Sequence, residues 1–304
     1  MIIPCYNEEE SLVSFMQEIN SVAATLAPDS VELIFVDDGS TDGTLPILRQ
    51  LSAENEQIHY LSFSRNFGKE SAILAGLKAA RGEYVAVMDA DLQDPPALLP
   101  EMLRAVREEG YDCAGTRRVT RRGEPVIRSL FARMFYRLVN MVSDTHLVDG
   151  ARDYKLMSRP VVDALLSMPE YNRFSKGLYE WVGFKTKWLE FENVERVAGE
   201  TKWSFWKLFK YSIDGIVGFT TMPLSIASML GILFMFLSFG GIVFLCVRQL
   251  FWHQSVSGWT SLACIIIFFC GVQLLSLGII GQYLAKTYME VKRRPIFIVK
   301  ERDN

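Results

Sequence analysis

Residues 87–96 read "VMDADLQDPP". An apolar run ends there in Asp89 and Asp91, with Gln93 and Asp94 close behind. Two carboxylates one residue apart repel each other unless something positive sits between them. A turn leaving a strand aims Asp89 and Asp91 at one hard cation, and Gln93 adds a third oxygen. Magnesium takes one or two carboxylates plus the phosphates of a substrate, and manganese fits the same oxygen set. The expected cofactor is therefore magnesium or manganese. Asp94, directly before Pro95, is expected instead to cap the following helix.

A second acid pair, Asp37 and Asp38, closes the apolar run of "VELIFVDDGSTDGT" (31–44). Both runs have the makings of buried parallel strands with acids at their carboxyl ends. Between them "ESAILAGLKAARG" (70–82) has helical periodicity and a glycine stop, and "DGTLPILRQLSAE" (42–54) reads as another helix after a turn. Alternating strands and helices predict a mostly parallel α/β sheet, in which ligands bind outside the carboxyl ends of the strands. Asp37, Asp38, Asp89 and Asp91 converge at that end. "SRNFGKE" (64–70) is a glycine-containing loop at a helix start, from which Lys69 could face phosphate.

The text changes from Phe219 onward. Residues 222–247 and 259–284 carry no charge except at their flanks, and each run exceeds the roughly 20 residues that span a bilayer core as a helix. Lys202, Lys207 and Lys210 precede the first run, Lys286, Lys292, Arg293 and Arg294 follow the second, and only Arg248 is basic between them. The positive-inside rule then puts residues 1–218 and the tail in the cytoplasm. The predicted division is a catalytic domain over 1–200, a juxtamembrane helix over 201–218, spans over 219–247 and 259–284, a short outer loop over 248–258 and a tail over 285–304. Residues 128–142 and 202–219 show basic amphipathic helices with aromatic residues, suited to a lipid interface.

Composition closes other routes. The net charge of −3 gives no general attraction to nucleic acid. Cys5, Cys113, Cys246, Cys264 and Cys270 are odd in number and lack metal spacing, so they are read as reduced, without disulfide or zinc. His59, His146 and His253 show no metal spacing either.

"IPCYNEEES", "VDDGSTDGT", "SRNFGKESAILAGL" and "DADLQDPP", in this order, resemble glycosyltransferase family 2 with the GT-A fold. The later pieces "GTRR", "DGARDYKLMSR", "NRFSKGLYEWVGFKT" and "RVAGETKWSFWKLFKYSIDGI", followed by two spans, resemble bacterial polyisoprenyl-phosphate glycosyltransferases related to dolichol-phosphate mannose synthases. The resemblance covers nearly the whole chain. It implies transfer of one sugar from a nucleotide-diphosphate donor to a polyisoprenyl phosphate such as undecaprenyl phosphate, at the bacterial cytoplasmic membrane. UDP-glucose or UDP-N-acetylglucosamine is the expected donor, with mannose or aminoarabinose donors as alternatives.

The resemblance also implies roles. Pro4, Tyr6 and Glu8, with Asp37 and its neighbour Asp38, hold the nucleotide. Asp89, Asp91 and Gln93 hold the metal on the diphosphate, and Arg117, Arg128 and Lys202 serve the diphosphate or the acceptor phosphate. Asp153 matches the acid of the family's "GDF"-like motif, here "RDY" with Arg152 in place of glycine, and is the candidate catalytic residue, with Asp149 second. Only Met1, Ile2 and Ile3 precede Pro4 of the first motif, which predicts a short first strand. A processive polysaccharide synthase would carry a "QxxRW" signature and more spans, both missing here. A nucleotide-binding membrane scaffold would have lost the acids that this chain keeps. A homo-oligomer is left open.

Overall fold

Apolar strands and amphipathic helices alternate through the first hundred residues and build the centre of one eight-stranded sheet. The computed structural model describes residues 1–119, 150–192, 220–252 and 258–303, together with Val148 and Val217. Four strands lie parallel: β1 (Ile2–Cys5), β2 (Leu33–Asp37), β3 (Ile58–Phe63) and β4 (Tyr84–Val87). They are joined by α1 (Leu12–Thr25), α2 (Thr44–Glu54) and α3 (Lys69–Ala79). Beyond β4 run α4 (Leu99–Arg107), β5 (Cys113–Arg118), β6 (Ala151–Ser158), α5 (Arg159–Ser167), α6 (Ser175–Trp181) and β7 (Thr186–Phe191). Across the sheet the order is β7-β5-β6-β4-β1-β2-β3-β8, where β8 is Val299–Arg302. The run β3-β2-β1-β4 reverses direction of growth at the β1/β4 junction, the place where open α/β sheets bind ligands.

Strand alternation sends side chains to two separate cores. Ile3, Phe35 and Ala86 face the layer of α1, α2 and α4, where Leu12, Phe15, Leu48 and Met102 are buried. Ile2, Ile34, Val36, Val85 and Val87 face the opposite layer, where Ile73, Leu77, Val162 and Leu165 are buried. The result is a three-layer sandwich with helices on both sides, as the near-continuous apolar strands demand. On the second face α3 lies very close to β1. A Cβ added at Gly76 would stand 2.2 Å from Ile2 Cγ2, so only glycine permits this approach. β1 pairs with β2 from Ile2 to Cys5.

The apolar runs form two helices that are long and apolar enough to cross a membrane: α7 (Met222–Trp252) and α8 (Trp259–Lys292). Both outrun the predicted spans. At about 1.5 Å per residue, the 34 residues of α8 extend well past a hydrocarbon core of about 30 Å. Their apolar side chains face outward, Phe236, Phe244 and Leu274 among them. The surplus turns of α8 reach the catalytic domain. The Glu290 carboxylate accepts hydrogen bonds from the backbone N–H groups of Tyr171 and Asn172 and from Asn172 Nδ2, each at 3.0 Å.

Beyond α8 the chain does not trail away. Arg293 turns left-handed (φ 47°) and ends the helix. Phe297 then stacks on Phe63 at 5.0 Å, and β8 pairs antiparallel with β3, closing that edge of the sheet. Arg49 grips Glu301 through two hydrogen bonds of 2.7 and 2.6 Å, and Tyr60 Oη donates to Glu301 at 2.9 Å.

Those hydrogen bonds from Arg49 and Tyr60 hold the Glu301 carboxyl down at about 2. Its share of the docking is therefore present above the ordinary carboxylate range and is lost as pH falls from about 4.5 towards 2. Amide exchange across 299–302 should rise over that window relative to β1 and β2, and Glu301→Gln should already exchange faster at neutral pH. Phe297→Ala should lower domain stability by about 2 kcal/mol, read from thermal unfolding, because it removes a stacked aromatic ring.

Candidate active site

The crevice at the β1/β4 junction is assembled from strand ends and the loops that leave them. The loop after β1 is laced to the loop after β2. Asn7 N donates to Ser40 Oγ (2.9 Å), Thr41 N donates to Asn7 Oδ1 (2.9 Å), and Glu8 N donates to Thr44 Oγ1 (2.8 Å). Asn7 takes a left-handed φ of 55°, which an asparagine tolerates, and so turns the chain at the strand end. Tyr6 beside it is 39 % exposed on the rim, and the Glu8 carboxylate accepts a hydrogen bond from Ser11 Oγ at 2.7 Å.

Asp37 and Asp38 reach the strand end as expected, but their carboxylates turn inward. Asp37 accepts from Ser40 N (2.9 Å) and Ser62 Oγ (2.6 Å). Asp38 accepts from the amides of Phe67 (2.6 Å) and Gly68 (2.8 Å). Both side chains are buried. Burial pushes the Asp38 carboxyl up, against the pull of those two amides. Both oxygens of Asp38 thereby brace the 64–68 loop. Gly39 makes the brace feasible. It holds φ +70°, and a Cβ there would lie 2.5 Å from the carbonyl carbon of Arg65.

That loop delivers Lys69 at the first position of α3. The antiparallel register of β4 with β6 pairs Tyr84 with Ser158 and Val87 with Lys155. Asp89 follows two residues after Val87, and Asp153 precedes Lys155 by two on β6. Lys69 Nζ stands between them, 2.6 Å from Asp89 Oδ1 and 2.5 Å from Asp153 Oδ2. On the other side of Asp153, Lys176 Nζ lies 3.8 Å from Oδ1 and donates to the Ala151 carbonyl at 3.1 Å. Burial alone would raise the Asp153 carboxyl, but the two ammonium groups outweigh it and hold it well below the usual carboxylate range. Burial likewise works against the Lys69 charge, yet Asp153 and Asp89 keep its ammonium well above the ordinary lysine value.

The turn after Asp89 is tight. Leu92 is left-handed (φ 55°), and Gln93 N donates to Asp91 Oδ1 at 3.1 Å. Asp94 does not cap a helix. Its carboxylate is fully buried and pairs with Arg152 Nε at 2.7 Å, while its Oδ2 has no protein partner. The cap expectation fails because Arg152, on β6, needs a buried anion and Asp94 is the acid within reach. Burial raises the Asp94 carboxyl despite Arg152. Beneath Asp153 on the same strand, Lys155 is buried, with Nζ 3.2 Å from Glu180 Oε1 and over the rings of Tyr179 and Trp188.

This donor set fits a hard divalent cation. Every side chain offered is an oxygen ligand, and an ammonium group already sits against Asp89 as a stand-in positive charge. Among the described residues no three acidic, histidine or cysteine side chains form a ready cage. Magnesium takes one or two carboxylates and completes its shell from substrate phosphates. Arg117 makes its ion pair with Glu190, its register partner on β7. Arg128, Lys202 and Asp149 lie outside the described residues. Lys176, Glu70 and Lys155 were not expected from sequence; Glu70 joins the site by accepting from Ser175 N at 2.9 Å and from Ser175 Oγ.

A β3-β2-β1-β4 sheet with an Asp-x-Asp turn at its switch point, flanked on β4's other side by antiparallel β6, defines the class: a transferase of the GT-A fold. The chain belongs to Glycosyl transferase family 2, whose sequence profile matches residues 1–166. It is 40 % identical over 301 residues to an uncharacterized glycosyltransferase, YkcC, of Bacillus subtilis, covering 99 % of this chain and 93 % of that one. It is 35 % identical to a prophage bactoprenol glucosyl transferase homolog of Escherichia coli and 36 % identical to the bactoprenol glucosyl transferase of Shigella phage SfV. In both cases the match covers 99 % of this chain and 97 % of the relative.

Asp38→Ala should cost about 2 kcal/mol, because it strands two amides in a buried turn. Amide exchange at Phe67 and Gly68 should rise well before exchange in β1 does.

Proposed function

We propose that the chain moves a single sugar from a nucleoside-diphosphate sugar to a polyisoprenyl phosphate lying in the membrane. One observation carries this reading. The chain that gathers the Asp-x-Asp crevice runs on into two apolar helices whose inner end is bonded back, through Glu290, to the catalytic domain. A site mounted this way serves an acceptor confined to the bilayer surface. Relatives named as bactoprenol glucosyl transferases over nearly their full length support the same acceptor class.

In this reading Pro4, Tyr6 and Glu8 rim the nucleotide side of the crevice, and Asp37 and Asp38 brace it from below. Asp89, Asp91 and Gln93 would hold magnesium or manganese on the donor diphosphate. The ion, when bound, supplies charge stabilisation to the departing nucleoside diphosphate. Uridine diphosphate glucose or N-acetylglucosamine is the proposed donor. Arg117, Arg128 and Lys202 add positive charge for phosphate. The helices α7 and α8 anchor the enzyme in the bacterial cytoplasmic membrane, with the catalytic domain on the cytoplasmic side.

The acceptor needs little activation. A phosphate monoester has its second pKa near 6, so it is largely dianionic at neutral pH and attacks the anomeric carbon without giving up a proton. Direct displacement by that oxygen inverts the anomeric centre.

Membranes holding the enzyme, given labelled nucleotide sugars and polyisoprenyl phosphate, should move label into the organic phase. Chelator should abolish the transfer and added manganese or magnesium should restore it. Asp91→Ala should reduce the rate at least about a hundredfold while the domain stays folded. Label that stays in the aqueous phase with every donor tried would overturn the reading.

A further inference from the structure

Asp153 is the acid that the resemblance puts forward as the catalytic residue, yet its surroundings suit another task than taking a proton. Each of its oxygens faces a lysine: Oδ2 meets Lys69 Nζ at 2.5 Å and Oδ1 meets Lys176 Nζ at 3.8 Å. A carboxylate engaged on both oxygens by ammonium groups is a poor proton acceptor. It is well suited to holding two cations near each other. Neither lysine is sequestered, with side-chain exposures of 40 % for Lys69 and 26 % for Lys176. Each ammonium has three hydrogens to donate. Lys69 gives two of them to Asp89 and Asp153, and Lys176 gives one to the Ala151 carbonyl.

The backbone around Lys176 is built to keep it there. Glu70, next to Lys69 on α3, accepts from the amide and hydroxyl of Ser175. One turn of α3 thus supplies one lysine directly and fixes the segment that carries the other. Glu70 is a positioning residue in this arrangement.

We propose that Lys69 and Lys176, both held by Asp153, form a two-cation clamp for a phosphate group of a substrate, with Asp153 as its organiser rather than a base. The inference rests on the lipid-phosphate transferase reading above. It also gives Lys69 a role towards the divalent ion. Both compete for Asp89, so Lys69 occupies that carboxylate before the ion arrives and is released to the clamp when it does. The phosphate is either the donor diphosphate or the lipid monophosphate, which share the chemistry of an anionic oxygen array.

The test uses the full-length chain in nanodiscs. Manganese affinity without nucleotide, read by electron paramagnetic resonance, should tighten about tenfold in Lys69→Met, because the competing ammonium is gone. An unchanged or weaker affinity would overturn the exchange at Asp89. Lys69→Met and Lys176→Met should each weaken phosphate recognition about tenfold, and Lys69→Arg and Lys176→Arg should recover part of it. Weaker UDP binding by calorimetry with an unchanged KM for the lipid assigns the donor diphosphate. A raised lipid KM with unchanged UDP binding assigns the acceptor. If neither changes, the clamp is wrong.

Asp153→Asn should loosen the same phosphate interaction and leave the shape of the kcat–pH profile intact. Loss of the acid limb with unaltered phosphate affinity would make Asp153 a base and overturn the proposal. Lys176→Met leaves the Asp89–Lys69–Asp153 contact in place, so it carries the test if Lys69→Met does not fold. Wild-type enzyme that makes lipid-linked sugar, alongside variants with unchanged phosphate and manganese affinities, would refute the clamp alone. A wild type that makes none would refute the transferase reading.

Discussion

Two carboxylates that meet at one ammonium group are the constraint around which this catalytic domain is arranged. Asp89 lies two residues past the end of β4 and Asp153 sits on the neighbouring β6, and two carboxylates brought to one point repel each other. A single ammonium group between them settles the conflict. To bring it there α3 must begin at Lys69, and the preceding loop must be pinned. The buried carboxylate of Asp38 does the pinning, through the amides of Phe67 and Gly68. Gly39 must then adopt its left-handed turn to let the Arg65 backbone pass. The local chemistry of one ion cluster therefore dictates backbone conformation at several loops around it.

Much of this was legible in the residues. The strands β2 and β4 announced themselves because buried parallel strands are apolar throughout and end in acids. The helices α2 and α3 followed from their periodicity, and the apolar runs of α7 and α8 from their length. The direction of the acids was not legible. Asp37 and Asp38 look like Asp89 and Asp91 on paper, each pair ending an apolar run, but one pair turns to internal amides and hydroxyls while Asp89 meets Lys69. Which partner wins depends on a loop thirty residues away. Asp94 misled for a similar reason: Asp-Pro is a good helix start locally, yet Arg152, far along the chain, competes for the carboxylate. Lys176 and Glu70 carried no motif at all, and only the packing of α6 against α3 and β6 reveals them.

Polar contacts join the catalytic domain to α8. Glu290 anchors α8 to the 171–172 turn, close in sequence to the α6 segment that carries Lys176. The membrane helix and the phosphate-facing lysine thus share a mounting.

The closing strand β8 has an implication for how the protein comes into being. It is made after both apolar helices, yet it covers the edge of β3, a strand completed more than two hundred residues earlier. Until the ribosome has released the tail, that edge presents unpaired backbone groups to its surroundings, a template for wrong pairing. Sheet completion therefore waits on translation of both long apolar helices, and a nascent chain stalled before β8 leaves the sheet with an open, adhesive border.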